Sequence, residues 1–233
     1  PIYWPQTVLN TVVADSLAQL ADALDGLDKG DFDGLTTILS GIVREHKRVL
    51  FEGNGYSPEW HEEAARRGLP NNRTTVDALP ALTAPESRAV FAAFGVLSER
   101  ELSARSEIMW ERYVRIGVLE ANCAIDIAST MIVPAVASYI ARIGPASASS
   151  RGINSICERV SAMADQLVDA IADLEAARHA VHGGASVADE ARTVVSRVIP
   201  AQERLRAVAD ELETVVADDL WPLPKYRELL FQY

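Results

Sequence analysis

The sequence predicts a nearly all-α fold, on three observations. Apolar residues recur at spacings of three and four along most of the 233 residues. Two hydroxyl-headed capping boxes open helical stretches. Few segments are rich in β-branched or aromatic residues at period two, and the best strand candidate, Arg48 to Phe51, is short.

In chain order, Val8, Val12, Leu17, Leu20 and Leu24 predict a first helix that ends at Asp25-Gly26. Leu35, Ile38, Leu39, Ile42, Val43 and Leu50 predict a second, so that the chain opens on a helical hairpin. The stretch LFEGNGYSPEW, Leu50 to Trp60, then reads as a turn: Asn54 and Gly55 tolerate positive φ, Ser57 caps the next helix, and Pro58 takes its first position. That helix is expected to stop at Gly68, before Pro70, and a short helix is expected over Thr75 to Leu79.

Thr83-Ala84-Pro85-Glu86 and Ser98-Glu99-Arg100-Glu101 fit the capping box, in which the hydroxyl accepts the third residue's N–H and the glutamate reaches back. The second box heads a helix expected to run to about Arg142, bent where Pro134 removes a hydrogen bond. Gly144 to Gly152 reads as a loop. After it Ile153, Ile156, Val160, Met163, Leu167, Ala170, Leu174, Ala177 and Val181 step by three and four. Past Gly183-Gly184 the pattern resumes from Val187 through Val194, Val198 and Leu205 to Val215. The expectation is a long antiparallel coiled-coil-like hairpin over about 152–217, with Ser186 as an N-cap and Pro200 as a kink. The tail, Asp219 to Tyr233, has two prolines and an apolar, aromatic end, and is expected to pack back, on this chain or on another subunit.

Composition narrows the function classes. With 48% hydrophobic and 24% charged residues the chain reads as a soluble globular protein. Its 33 acidic and 22 basic residues give a net charge of -11, which argues against a nucleic-acid partner. No uncharged apolar run approaches the length of a bilayer-spanning helix and no secretory leader pattern is present, so a cytoplasmic protein with no membrane partner is expected. Cys123 and Cys157 stand apart and predict two buried thiols in place of a disulfide or a zinc site. The chain begins Pro1-Ile2-Tyr3-Trp4-Pro5, without Met and in mid-pattern, which predicts a piece of a longer polypeptide.

Chemistry does not announce itself. Gly53-Asn54-Gly55 supplies only the first half of a dinucleotide fingerprint, and a Walker lysine is absent. His61-Glu62-Glu63 lacks the second histidine of a zinc face, and His179 and His182 lack a third ligand. Neither an inward Glu-x-x-His pair nor a nucleophile elbow stands out. Asp15, Asp22, Glu107, Glu111, Glu120 and Asp126 fit solvated helical stripes. The residues themselves therefore give no catalytic, cofactor-binding or metal-binding position.

Three blocks carry a resemblance. Arg44 to Pro80 (REHKRVLFEGNGYSPEWHEEAARRGLPNNRTTVDALP), Gly95 to Val114 (GVLSERELSARSEIMWERYV) and Trp221 to Phe231 (WPLPKYRELLF) resemble, in order and spacing, the carboxy-terminal region of type III glutamine synthetase. Glu52 stands where that family usually has asparagine, and Pro5 to Leu27 is similar to the helix after the last catalytic strand of glutamine synthetases. The resemblance implies a parent enzyme that joins ammonia to glutamate with ATP through a γ-glutamyl phosphate, with Mg or Mn holding the phosphates. The family's metal-binding acids and phosphate-binding arginines belong to blocks not found here, so no catalytic residue carries over and the fragment alone is expected to be inactive.

The resemblance further implies that residues 1–50 end the catalytic domain, that 51–233 form the extra helical domain, and that the partners are the remainder of the chain and other subunits in stacked rings. The hairpin and tail are expected to serve as ring contacts. Asn54 and Tyr56 are the candidates for an active-site rim. The alternative is a stand-alone helical scaffold or protein-binding module derived from the same region.

Overall fold

The computed structural model describes residues Tyr3 to Leu230, apart from the side chains of Tyr226 and Arg227. The chain divides into two compact units, Pro1–Ser106 and Glu107–Tyr233, and no strand occurs among the described residues. The strand candidate at Arg48 to Phe51 is replaced by a 3-10 turn, Lys47–Val49, followed by irregular chain.

The first unit opens on the expected hairpin, α1 (Tyr3–Leu24) and α2 (Phe32–His46), with the Asp31 carboxylate accepting from the Gly34 N–H at 2.8 Å as the N-cap of α2. Short helices follow: α3 (Pro58–Arg66), α4 (Thr75–Leu82) and α5 (Pro85–Ala93). Gly68 and Gly95 adopt φ of +70° and +59° just past α3 and α5. In both places the following N–H reaches back to close the helix, Leu69 to Ala64 and Val96 to Phe91. Phe91, Leu97 and Leu102 form the core, with Trp4, Val8 and Leu82 packed against it and the Trp4 and Phe91 rings stacked at 6.1 Å.

One capping box forms and one does not. The Ser98 N–H and hydroxyl donate to the Glu101 carboxylate at 2.9 and 2.7 Å and hold it below its ordinary value, while the Glu101 N–H donates to the Ser98 hydroxyl. At α5 the N-cap is Ala84, and the Thr83 carbonyl instead accepts from Arg88 at 2.8 Å. With Pro85 at the first helical position, a demand for one N–H is already gone.

In the second unit three helical rods lie side by side. The first is α6 (Glu99–Ile127, from Glu107 onward), a π turn at Ala128–Ile132 and α7 (Val133–Ser147). The second is α8 (Arg151–His179). The third is α9 (Val187–Thr193), a π turn at Val194–Val198 and α10 (Ile199–Glu213). Helix α7 runs on through Gly144 and Pro145, so the expected nine-residue loop shrinks to three residues before α8, capped by Ser150.

The expected two-helix arm is corrected accordingly: α8 packs against α7 as well as against α10. Every inward position of α8 from Val160 to Ala177 is closed, with Leu167 and Leu174 at 0% exposure. Each such leucine contributes about 1.5–3 kcal/mol of burial. Arg178 of α8 bonds Asn122 of α6 at 2.7 Å, and the Asp173–Arg204 pair spans α8 and α10 at 3.5 Å.

Both prolines sit just after a π turn. The Val133 N–H bonds the Ala128 carbonyl and the Ile199 N–H bonds Val194, each five residues back. The widened turn moves aside the carbonyl that a proline ring would strike, so Pro134 and Pro200 leave both rods unbroken. The rod Glu99–Ser147 also holds an 18-residue window of mean hydropathy 1.6, long and apolar enough by length and composition to cross a membrane. The expectation that no run approaches that length counted uncharged residues only. Ala128, Ile132, Ala135 and Val136 of this rod are buried.

Neither cysteine is buried as expected: Cys123 is exposed and Cys157 half-buried, because Ala121 and Ile125, and Val160, take the inward positions around them. The tail folds back on this chain. Arg142 grips Asp219 through two bonds of 2.9 and 2.7 Å, Trp221 is buried, and Lys225 reaches the Val216 carbonyl and Asp218. A last helix, α11 (Tyr226–Leu230), follows, and the expected aromatic end, Phe231 to Tyr233, lies outside the described residues.

Two outcomes follow for stability. A Cβ at Gly117 would stand 2.6 Å from Val194, so Gly117→Ala is expected to cost about 1–3 kcal/mol by overpacking, against about 1 kcal/mol gained in helix propensity. In a Val194→Ala background the same change should become stabilising, which a double-mutant cycle by denaturant unfolding checks. The Arg142 guanidinium lowers the Asp219 carboxyl below 3.8. A carboxyl depressed in the folded state stabilises above its unfolded value and loses that contribution as pH falls through the folded one. The melting-temperature gap between wild type and Asp219→Asn should therefore be present at neutral pH and close below pH 3.8.

Candidate functional site

The candidate residues Asn54 and Tyr56 lie in the connection between α2 and α3. Here Asn54 makes a local turn: its side-chain oxygen accepts from the Tyr56 N–H at 3.1 Å and its carbonyl from the Ser57 N–H at 3.0 Å. The Tyr56 ring is 96% exposed. The turn forms as expected, although neither Asn54 nor Gly55 takes up the positive φ it tolerates. Glycine is needed instead at Gly53, where a Cβ would stand 2.6 Å from the Phe51 ring. Ser57 stands at the N-cap of α3, yet its hydroxyl serves the Glu59 carboxylate, which it holds below its ordinary value, and caps no helix N–H.

Three residues that sequence reasoning did not single out hold this connection. The Phe51 ring stacks on Trp60 at 4.6 Å, and the Arg67 guanidinium lies 5.7 Å from the Trp60 ring centre. Arg67 also donates to the carbonyls of Leu50 at 2.6 Å and Arg48 at 3.1 Å, and to Glu63 at 2.5 Å, which lowers the Glu63 carboxyl. Trp60, Glu63 and Arg67 fall on one face of α3 at spacings of three and four, and that spacing is the signal from which the clasp was readable.

A surface groove of about 570 Å³ beside this clasp is lined by Lys47, Arg48, Leu50, Glu52 and Arg67. Asn54 and Tyr56 are not among its lining residues. It is cationic in a chain of net charge -11, but it brings together no nucleophile and base. The histidines are likewise dispersed: His61 meets Asn71 at 3.4 Å, His179 pairs with Arg178 at 2.9 Å, and His182 stands 3.8 Å from Glu190. Among the described residues no group of three or more His, Cys, Asp or Glu side chains is placed to hold a metal ion. Of the acids expected on solvated stripes, Asp22, Glu107, Glu111, Glu120 and Asp126 are exposed, whereas Asp15 is half-buried and accepts from Gln19 at 2.8 Å.

Among the described residues the chain is helical, with no strand, and the candidate residues lie in an exposed turn beside a cationic groove. Residues 34–151 match the model of the glutamine synthetase C-terminal domain, and the chain belongs to that family. It is 31% identical over 247 residues to the type-3 glutamine synthetase of Dictyostelium discoideum, covering 99% of this chain and 33% of the relative. A glutamine synthetase of Bacteroides fragilis (strain YCH46) is 30% identical over 96% of this chain and 33% of its own length. One from Butyrivibrio fibrisolvens is 28% identical over 83% and 29%. The chain therefore spans about a third of the length of the curated relatives it matches.

Proposed function

We propose that the chain is the carboxy-terminal part of a type III glutamine synthetase, a ligase of nitrogen metabolism that joins ammonia to glutamate with ATP and Mg or Mn. In this reading it works as a structural, oligomer-forming appendage without activity of its own. The observation that carries the reading is similarity over 99% of this chain to only 33% of a relative. Residues 1–50 would then close the catalytic domain and 51–233 form the added helical domain. Asn54 and Tyr56 lie within a few residues of that junction, with the Tyr56 side chain presented to solvent, which favours them as an active-site rim.

An assay of glutamine formation tests both parts. The 233-residue chain alone should form none, whereas the complete polypeptide should require glutamate, ammonia, ATP and a divalent cation. In the complete polypeptide, Asn54→Ala and Tyr56→Ala should raise the KM for ATP or glutamate at unchanged melting temperature. An unchanged KM removes the rim assignment.

For the ring contacts, deletion of the arm is a poor test, because α8 also closes the inner face of α7. The outward side chains Ile156 and Val168, 40% and 53% exposed, leave the bundle core untouched. Ile156→Glu or Val168→Glu should lower the mass of the complete enzyme in light scattering. An unaltered mass in both variants places the contacts elsewhere.

A further inference from the structure

A pocket of about 360 Å³ opens between α6 and the turn that leads into α9, wholly within the second unit. Pockets that hold small molecules begin at about 300 Å³. On the α6 side Glu111, Val114, Arg115 and Val118 line it, and their spacings of three and four put them on one face of the helix. Across from them stand His182, Val187 and Glu190. Close approaches fix both walls: a Cβ at Gly117 would stand 2.6 Å from Val194, and one at Gly184 would stand 3.0 Å from the Glu190 nitrogen.

The charges around this pocket do not satisfy one another. Glu111 and Arg115 have the order and the i, i+4 spacing that favour an ion pair, yet among the described residues neither side chain makes an ion pair or a hydrogen bond. The Glu190 side chain is only 23% exposed, and its carboxylate meets His182 at 3.8 Å, beyond hydrogen-bond reach. Charges withdrawn from water are ordinarily paired. A metal ion is not the missing partner, since the described residues bring no three metal-ligating side chains together. A phosphate would be repelled by the two glutamates, and a simple amine would leave Arg115 unpaired.

We infer that the pocket binds a free aliphatic α-amino acid, a ligand independent of the proposed ligase reaction. Arg115 takes the carboxylate, Glu111 and Glu190 take the ammonium, and the side chain lies on Val114, Val118 and Val187.

Hydrogen–deuterium exchange of the complete polypeptide, read by mass spectrometry with and without millimolar L-leucine, tests this assignment. Exchange should slow in peptides spanning 107–120 and 181–193 and stay unchanged in α2. Isoamylamine and isocaproate, which each lack one of the two charges of L-leucine, should give no protection. Arg115→Gln and Glu190→Gln should each weaken L-leucine binding about tenfold or more, the loss of one charge-assisted contact, at unchanged melting temperature. Glu107→Gln, on the same helix outside the pocket, should leave binding as it is. Should a variant fail to fold, the comparison of the two analogues with L-leucine decides. No slowing in these peptides with L-leucine, equal slowing with isoamylamine, or undiminished binding in either pocket variant would each overturn the assignment.

Discussion

The closed seam along α8 is the constraint on which the second unit depends. Its inward side chains, from Val160 to Ala177, face two neighbours, and a single partner helix would leave part of that seam in water. Two rods must therefore lie along α8 without interruption, although each carries a proline. The π turns at Ala128–Ile132 and Val194–Val198 make that compatible, and Gly117 lets α6 approach Val194 of the third rod. The Arg142–Asp219 grip, the buried Trp221 and Lys225 then fix the tail against the same bundle.

Much of this was legible from residue spacing. The periodicity located every long helix, and Ser98 and Ser186 have short side chains that accept helix N–H groups where the pattern begins, whereas the Ser150 cap lay inside a stretch read as loop. Boundaries failed where two local rules competed. Thr83 and Pro85 both mark a helix start, and the proline's geometry prevailed. Gly144 and Pro145 suggest a loop, but packing of α7 on α8 carries the helix through them. The heptad-like steps also could not reveal how many partners α8 has, because burial on one face and burial between two neighbours produce the same pattern of apolar positions.

The connection at residues 50–60 shows the same limit at a finer scale. Its glycines and Asn54 announced a turn, but what holds the turn is a stack of Phe51 on Trp60 with Arg67 alongside, set by side chains up to sixteen residues apart in sequence. The candidate rim residues were legible only through family resemblance, since nothing in their spacing points to chemistry. The described residues present two surface features, a cationic groove beside Arg67 and an apolar side on α1 and α2.

The most direct measurement is the coding sequence upstream of Pro1. The account predicts an open frame that continues for several hundred codons and encodes the metal-binding acids and phosphate-binding arginines of a glutamine synthetase. A start codon immediately before Pro1 would contradict it and leave a stand-alone helical protein whose binding partner is then the question.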